Sequence, residues 1–179
     1  MHRRHRHPCP SCRGCAARGF SLLELMVVIA VIAILALIAL PGLPDKFVRD
    51  QIVEAVKLAD LAKGPVAAAW ASHVALPADN AAAGLPAANL IVNNEISSVA
   101  IESGAIQVTF GNHANGNIRG KVLSLRPGVV ESAPMVPVAW VCGNAEPPLN
   151  MIAKGPNRTD VPLRFLPLNC RASAASAPG

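Results

Sequence analysis

Cysteines and histidines are the first candidates for chemistry. His7, Cys9, Cys12 and Cys15 fall in the stretch HPCPSCRGC, a spacing that suits zinc. A structural zinc site needs four well-placed ligands on a scaffold. These ligands come before any segment with folding signals, so no metal and no other cofactor is assigned. Glu24 is a different candidate, a lone acid near the start of a long apolar run. His73 and His113 stand apart and read as ordinary surface or core histidines, with His73 on a helix and His113 in a turn. Trp140, beside Cys142, reads as core. No Ser/His/Asp order, glycine-rich phosphate loop or carboxylate pair forms a catalytic motif. The chain is not read as an enzyme.

The element that carries Glu24 is a membrane-type segment. From Phe20 to Leu40 only Ser21 and Glu24 are not apolar. A helix of this length covers about 30 Å, the thickness of a bilayer core. Buried core helices are usually shorter and amphipathic, whereas this run is apolar all round. A secretory signal would have an apolar region of roughly 7–15 residues and a small-residue cleavage site after it. This run is longer, and Pro41-Gly42-Leu43-Pro44 follows instead. Glu24 sits near one end of the span and near a helix N-terminus, where a negative charge is favoured. It either reaches the interface or waits for a positive partner.

Charge is distributed to match. The chain has 179 residues and a formal net charge of +5. Arg3, Arg4, Arg6, Arg13 and Arg18 precede the apolar run with no acid among them. Of 16 basic residues in all, 11 remain against 11 acids, so the rest is formally neutral. The arginines predict a cytoplasmic N-terminus and a translocated remainder. The neutral remainder gives no general attraction to nucleic acid, which leaves DNA binding to a local patch. Cys9, Cys12 and Cys15 would then lie in a different redox compartment from Cys142 and Cys170. The last two can oxidise to a disulfide. It would close a loop of roughly 29 residues, worth about 3–4 kcal/mol in the chain-entropy model.

Beyond the run, Pro41 is expected to break or kink the helix, and Pro44 to widen the gap. Asp45 to Leu76 reads as an amphipathic helix. Phe47, Ile52, Ala55, Val56, Ala59, Ala62 and Val66 form its apolar side, with a kink or brief stop at Gly64-Pro65. Residues 77–95 read as a loop with a short helical turn. Strands are predicted at Ser97–Glu102, Ile106–Phe110, Lys121–Arg126 and Val138–Cys142, with Gln107 and Thr109 on a solvated face. Short successive strands favour an antiparallel sheet, and a helix before such a sheet gives an α+β fold. After Cys142 the chain reads as irregular and proline-rich. Residues 172–179 read as a flexible tail.

Gly19-Phe20-Ser21-Leu22-Leu23-Glu24 resembles the processing signal of type IV prepilins. The resemblance implies a cut by prepilin peptidase between Gly19 and Phe20, and N-methylation of the new Phe20 amine. It implies that Glu24 pairs with that amine on a neighbouring subunit, and that Pro41 marks the bend of a long helix. The stretch Val108–Asn115 with Gly120–Leu123 is similar to the strand-turn-strand of type IVa pilins. Trp140-Val141-Cys142 and Leu166–Arg171 resemble their C-terminal disulfide region. The implied organisation is a cleaved leader (1–19), a transmembrane or fibre-core helix (20–40), a periplasmic α+β head (45–171) and the tail. The implied fold is that long helix packed on a four-stranded antiparallel sheet, with a disulfide-closed C-terminal loop.

The implied function is that of a pilus subunit, with adhesion, twitching motility or DNA uptake as family roles. The implied partners are prepilin peptidase, identical or related pilin subunits in a helical polymer, and the inner-membrane assembly machinery. The N-terminal motif is shared with minor pilins and type II secretion pseudopilins, which remain alternatives. A non-assembling, signal-anchored periplasmic binding domain is a third, and Glu24 argues against it because a plain anchor needs no acid there.

Overall fold

A computed structural model describes residues 19–39 and 43–172. The chain divides into two units, Met1–Pro41 and Gly42–Gly179. The N-terminal cysteines, the break expected at Pro41 and the tail beyond residue 172 lie outside the described residues.

The first unit holds one helix, α1 (Leu22–Ala39). Its apolar side chains are exposed along its whole length, from Leu22 at 79% to Ile38 at 75%. Its 18 residues rise about 27 Å. Among the described residues no helix is long and apolar enough to cross a membrane. The run read as a span extends to Leu40, beyond the described end of α1.

The second unit is a helix on a sheet. Helix α2 (Leu43–Ala71) buries Val48, Ile52, Ala55, Ala59, Ala62 and Val66. Steps of three and four residues place these on one narrow stripe. Three of the six are alanines, which lets the helix backbone approach the sheet closely. Val48 occupies the position expected of Phe47, which is 67% exposed.

Three expectations for this helix are corrected. Pro44 does not widen a gap; it lies in the first turn of α2, where a missing N–H breaks no bond. The helix also runs through Gly64-Pro65 without the brief stop. Pro65 deprives the Leu61 carbonyl of its partner, and Leu61 is exposed, so water can take its place. Finally, α2 ends at Ala71 and not at Leu76. Val74 N–H donates to the Ala69 carbonyl and His73 N–H to the Trp70 carbonyl, both at 3.0 Å. This is a Schellman cap with His73 in the left-handed region at φ 56°. His73 thus lies past the helix and serves as its stop.

Five antiparallel strands form the sheet: β1 (Ile96–Glu102), β2 (Ala105–Phe110), β3 (Val122–Val129), β4 (Ala139–Cys142) and the two-residue β5 (Ile152–Ala153). The first four run in the order β1-β2-β3-β4, and β5 joins β3. The four expected strands are present, and β5 is an addition. A register shift between Ile96 and Ser98 lets Ile96, Val99 and Ile101 all face inward despite uneven spacing. Ile106, Val108, Phe110, Leu123 and Leu125 complete the core against α2. Ser103 and Gly104 make the β1–β2 turn, both at positive φ. A Cβ at Gly104 would come within 2.8 Å of Leu76. Pro127 is tolerated in β3 because its carbonyl, and hence its missing N–H, faces the edge where β2 has ended. That carbonyl accepts from Lys154 N–H at 2.8 Å.

Residues 77–95 form the expected loop, with a 3-10 turn at Ala88–Leu90. One residue in it is structural. Asn80 is buried, and its amide donates to the Val99 carbonyl at 2.9 Å and accepts from Ile101 N–H at 2.6 Å. It pairs with β1 as a peptide group of another strand would, and so covers that edge. Asn80→Ala would leave both backbone groups unpaired. A loss of about 1–3 kcal/mol is expected in urea denaturation, and an unchanged midpoint would refute the edge-capping role.

Candidate functional site

Two regions carry the residues singled out from the sequence. The first is the start of α1. Gly19 has open space around its Cα, and Phe20 is 77% exposed. Leu25 N–H donates to the Ser21 carbonyl at 3.1 Å, so helical bonding begins at Ser21. Glu24 falls in the first turn, where backbone N–H groups lack helical partners and a carboxylate is stabilised. Among the described residues Glu24 has no ion-pair partner. The exposed stretch Gly19-Phe20-Ser21 thus leads directly into an apolar helix with one accessible acid.

The second region is the segment closed by the disulfide. Cys142 at the end of β4 is bonded to Cys170, 28 residues on, with a Cα–Cα distance of 4.5 Å. The enclosed chain crosses the sheet face opposite α2. Gln107, expected on a solvated face, is buried there. Ser124 Oγ donates to Gln107 Oε1 at 2.6 Å and accepts from Arg158 N–H at 2.7 Å. Gln107 Nε2 donates to the Pro156 carbonyl at 3.0 Å, and Ser124 N–H to Thr159 Oγ1 at 3.0 Å. Every polar atom of this buried pair is thereby used, and residues 156–159 are tied to β2 and β3. Gly155 is at φ 79°, and a Cβ there would meet Ala105 Cβ at 2.6 Å.

Charge completes the attachment. Arg158 reaches Glu102 through two guanidinium bonds, from Nε to Oε2 and from Nη2 to Oε1. Those bonds hold the Glu102 carboxyl below the usual carboxylate range, against a smaller opposing effect of burial. They raise the Arg158 guanidinium further. Asp160 accepts from Val122 N–H at 2.6 Å and pairs with Lys121 at 3.3 Å. Arg126, on β3, is lowered by burial.

The Gln107–Ser124 pair and Asn80 were not recognised in the sequence. Alternation put Gln107 on an open face, and a lone asparagine in a loop has no signal of its own. Among the described residues no group of three or more His, Cys, Asp or Glu is placed to hold a metal ion.

A helix on an antiparallel sheet with a disulfide-closed C-terminal segment, in a chain that also holds an exposed apolar helix, is the architecture of the α+β pilin fold. A family model described as Pilin (bacterial filament) matches residues 48–171. One described as the prokaryotic N-terminal methylation motif matches residues 15–40. The type IV major pilin protein PilE of Neisseria gonorrhoeae is 33% identical over 133 residues, covering 71% of this chain and 77% of the relative. A fimbrial protein of Neisseria meningitidis serogroup A / serotype 4A is 32% identical over 141 residues, covering 74% and 81%. The chain belongs to the type IV pilin family, a structural family of pilus subunits.

Two measurements probe the disulfide-bounded segment. Replacing Cys142 and Cys170 together by serine is expected to lower stability by about 3–4 kcal/mol. Urea denaturation with and without reductant checks this, and a reductant-insensitive wild type would contradict it. The Glu102 carboxyl titrates lower in the folded chain than in the unfolded one. Its contribution is therefore complete above the unfolded value and disappears as pH falls through the folded one. Glu102→Gln should flatten the decline in stability from the ordinary glutamate range downward, and parallel profiles would exclude that contribution.

Proposed function

We propose that this chain is a fibre-forming type IV pilus subunit, made as a prepilin. Residues 1–19 are its leader, cut by prepilin peptidase between Gly19 and Phe20, with the Phe20 amine then methylated. Residues 20–40 hold the subunit in the inner membrane, N-terminus in the cytoplasm. Residues 45–171 form the periplasmic head, and 172–179 the tail. Pro41 bends or breaks the chain between the two helices. The inner-membrane assembly machinery then transfers the subunit into a surface fibre of identical or related pilins. There Glu24 pairs with the Phe20 amine of a neighbour.

One observation carries this reading. Helix α1 exposes apolar side chains all round and carries a single acid in its first turn. Such a surface needs an apolar surround, and such an acid needs a cation within it. The methylation motif covers the same residues. The similarity to a major pilin and a fimbrial protein favours a bulk fibre subunit over a minor pilin or secretion pseudopilin. No residue singles out adhesion, twitching motility or DNA uptake.

N-terminal sequencing and mass analysis of sheared surface fibres test the proposal. N-methyl-phenylalanine at Phe20 is the expected first residue. An intact Met1, or a cut beyond Leu40, would overturn the prepilin reading. Glu24→Ala should leave membrane insertion unchanged while fibre yield falls by about tenfold or more, the scale of losing a partner for a buried charge. Normal fibres from that variant would remove the pairing role.

A further inference from the structure

Two arginines from opposite ends of the head converge on the backbone carbonyl of a third. Arg49 Nη2, from α2, donates to the Arg164 carbonyl at 2.8 Å. Arg171 Nη2 donates to the same oxygen at 3.3 Å, and its Nε to the Leu166 carbonyl at 2.7 Å. The guanidinium of Arg164 lies over the Phe165 ring, 4.5 Å from its centroid. Among the described residues none of the three pairs with a carboxylate. Backbone carbonyls thus hold like charges together, and an anion from outside the subunit would relieve their repulsion. Leu163 and Leu168, both exposed, flank the cluster in the chain.

The complementary surface is on the outward side of α2. Asp50 is exposed and, among the described residues, has no cationic partner. Phe47 and Val53, three residues to either side, are exposed on the same helical row. The buried stripe Val48, Ile52 and Ala55 points away from them. Successive helix residues point about 100° apart, so Arg49 and Asp50 open in different directions. One patch is cationic with apolar flanks, and the other presents the Asp50 carboxylate between two apolar side chains, with exposed Lys46 and Glu54 one turn to either side. A head-to-tail polymer brings one patch of a subunit against a different patch of the next.

We propose that the Arg49–Arg164–Arg171 cluster of one subunit receives Asp50 of a second copy, with Leu163 and Leu168 against its Phe47 and Val53. The contact rests on the fibre reading above and specifies which head surfaces meet. The overall charge balance conceals it, because the cluster is assembled from residues far apart in the chain.

Full-length chains carrying Arg164→Glu, Asp50→Arg or both are expressed in cells that contain pilus assembly machinery. Sheared fibres are then quantified by immunoblot and electron microscopy. Arg164→Glu retains the backbone carbonyl that anchors Arg49 and Arg171, and non-reducing gels report whether the Cys142–Cys170 bond still forms. Each single reversal should lower fibre yield by about tenfold, and the double swap should return it to within about twofold of wild type. Wild-type yield from either single variant, or a double variant no better than the singles, would overturn the contact alone. Absence of fibres from the wild type would overturn the fibre reading and the contact with it. Unchanged fibres together with lost retention of double-stranded DNA in Arg164→Glu would overturn the contact and give the patch to a nucleic-acid partner.

Discussion

The head depends on how closely α2 can lie on its sheet. Ala55, Ala59 and Ala62 form the middle of the buried stripe and are completely inaccessible. Larger residues there would lift the helix from β1, β2 and β3, and protein interiors tolerate neither the gap nor the overlap. The facing strands supply the bulk instead, with Ile96, Ile106, Phe110, Leu123 and Leu125. Small residues on the helix and large ones on the sheet are one solution to one spacing. The bulge near Ile96 belongs to it, because it turns three unevenly spaced side chains toward the helix.

Once that face is closed, the other becomes the difficulty. A sheet with one covered face can leave the second to water. Here the second face is covered at its centre by residues 156–159, which have no regular structure. An irregular segment brings backbone polar groups that need partners. Gln107 partners the Pro156 carbonyl and Ser124 the Arg158 N–H, while Glu102 holds the Arg158 side chain and the Asp160 carboxylate accepts from Val122 N–H of β3. The disulfide acts on the same segment from its ends by restricting the unfolded chain. Polar side chains on the sheet and a covalent closure thus share work that hydrophobic packing does on the α2 face.

This division explains what could be read from the sequence. Periodicity reports burial against one partner, so the stripe on α2 and the inward residues of β2 and β3 were legible. It fails where a second partner covers the opposite face, as at Gln107. It also fails where a cap overrides propensity, as at His73, where two backbone bonds end the helix although helix-compatible residues continue. The chemistry of proline alone points to a gap at Pro44 and a kink or stop at Pro65. Their cost depends on whether the lost bond was available and whether the freed carbonyl reaches water, and both are facts of position. The N-terminal motif was legible because its residues are contiguous, and a family model matches there. The arginine cluster was not, because two of its members are more than a hundred residues from the third.

The exposed surface of α1 limits what can drive the proposed assembly. Burying a large aliphatic side chain gains about 1.5–3 kcal/mol relative to water. The described apolar residues of α1 therefore exclude water as a resting environment by a wide margin. That gain is already obtained in lipid, which is as apolar as a fibre core, so it does not favour the fibre over the membrane. Glu24 differs between the two environments. In lipid it must remain near the interface or be neutralised, whereas in a packed bundle it can meet a neighbour's amine. In the proposed scheme the amine at Phe20 would not exist until the leader is cut, so the same acid would be unmatched before processing and matched after it. In the proposed assembly the apolar residues would keep the subunit out of water, and Glu24 with the head contacts would favour the fibre over the bilayer.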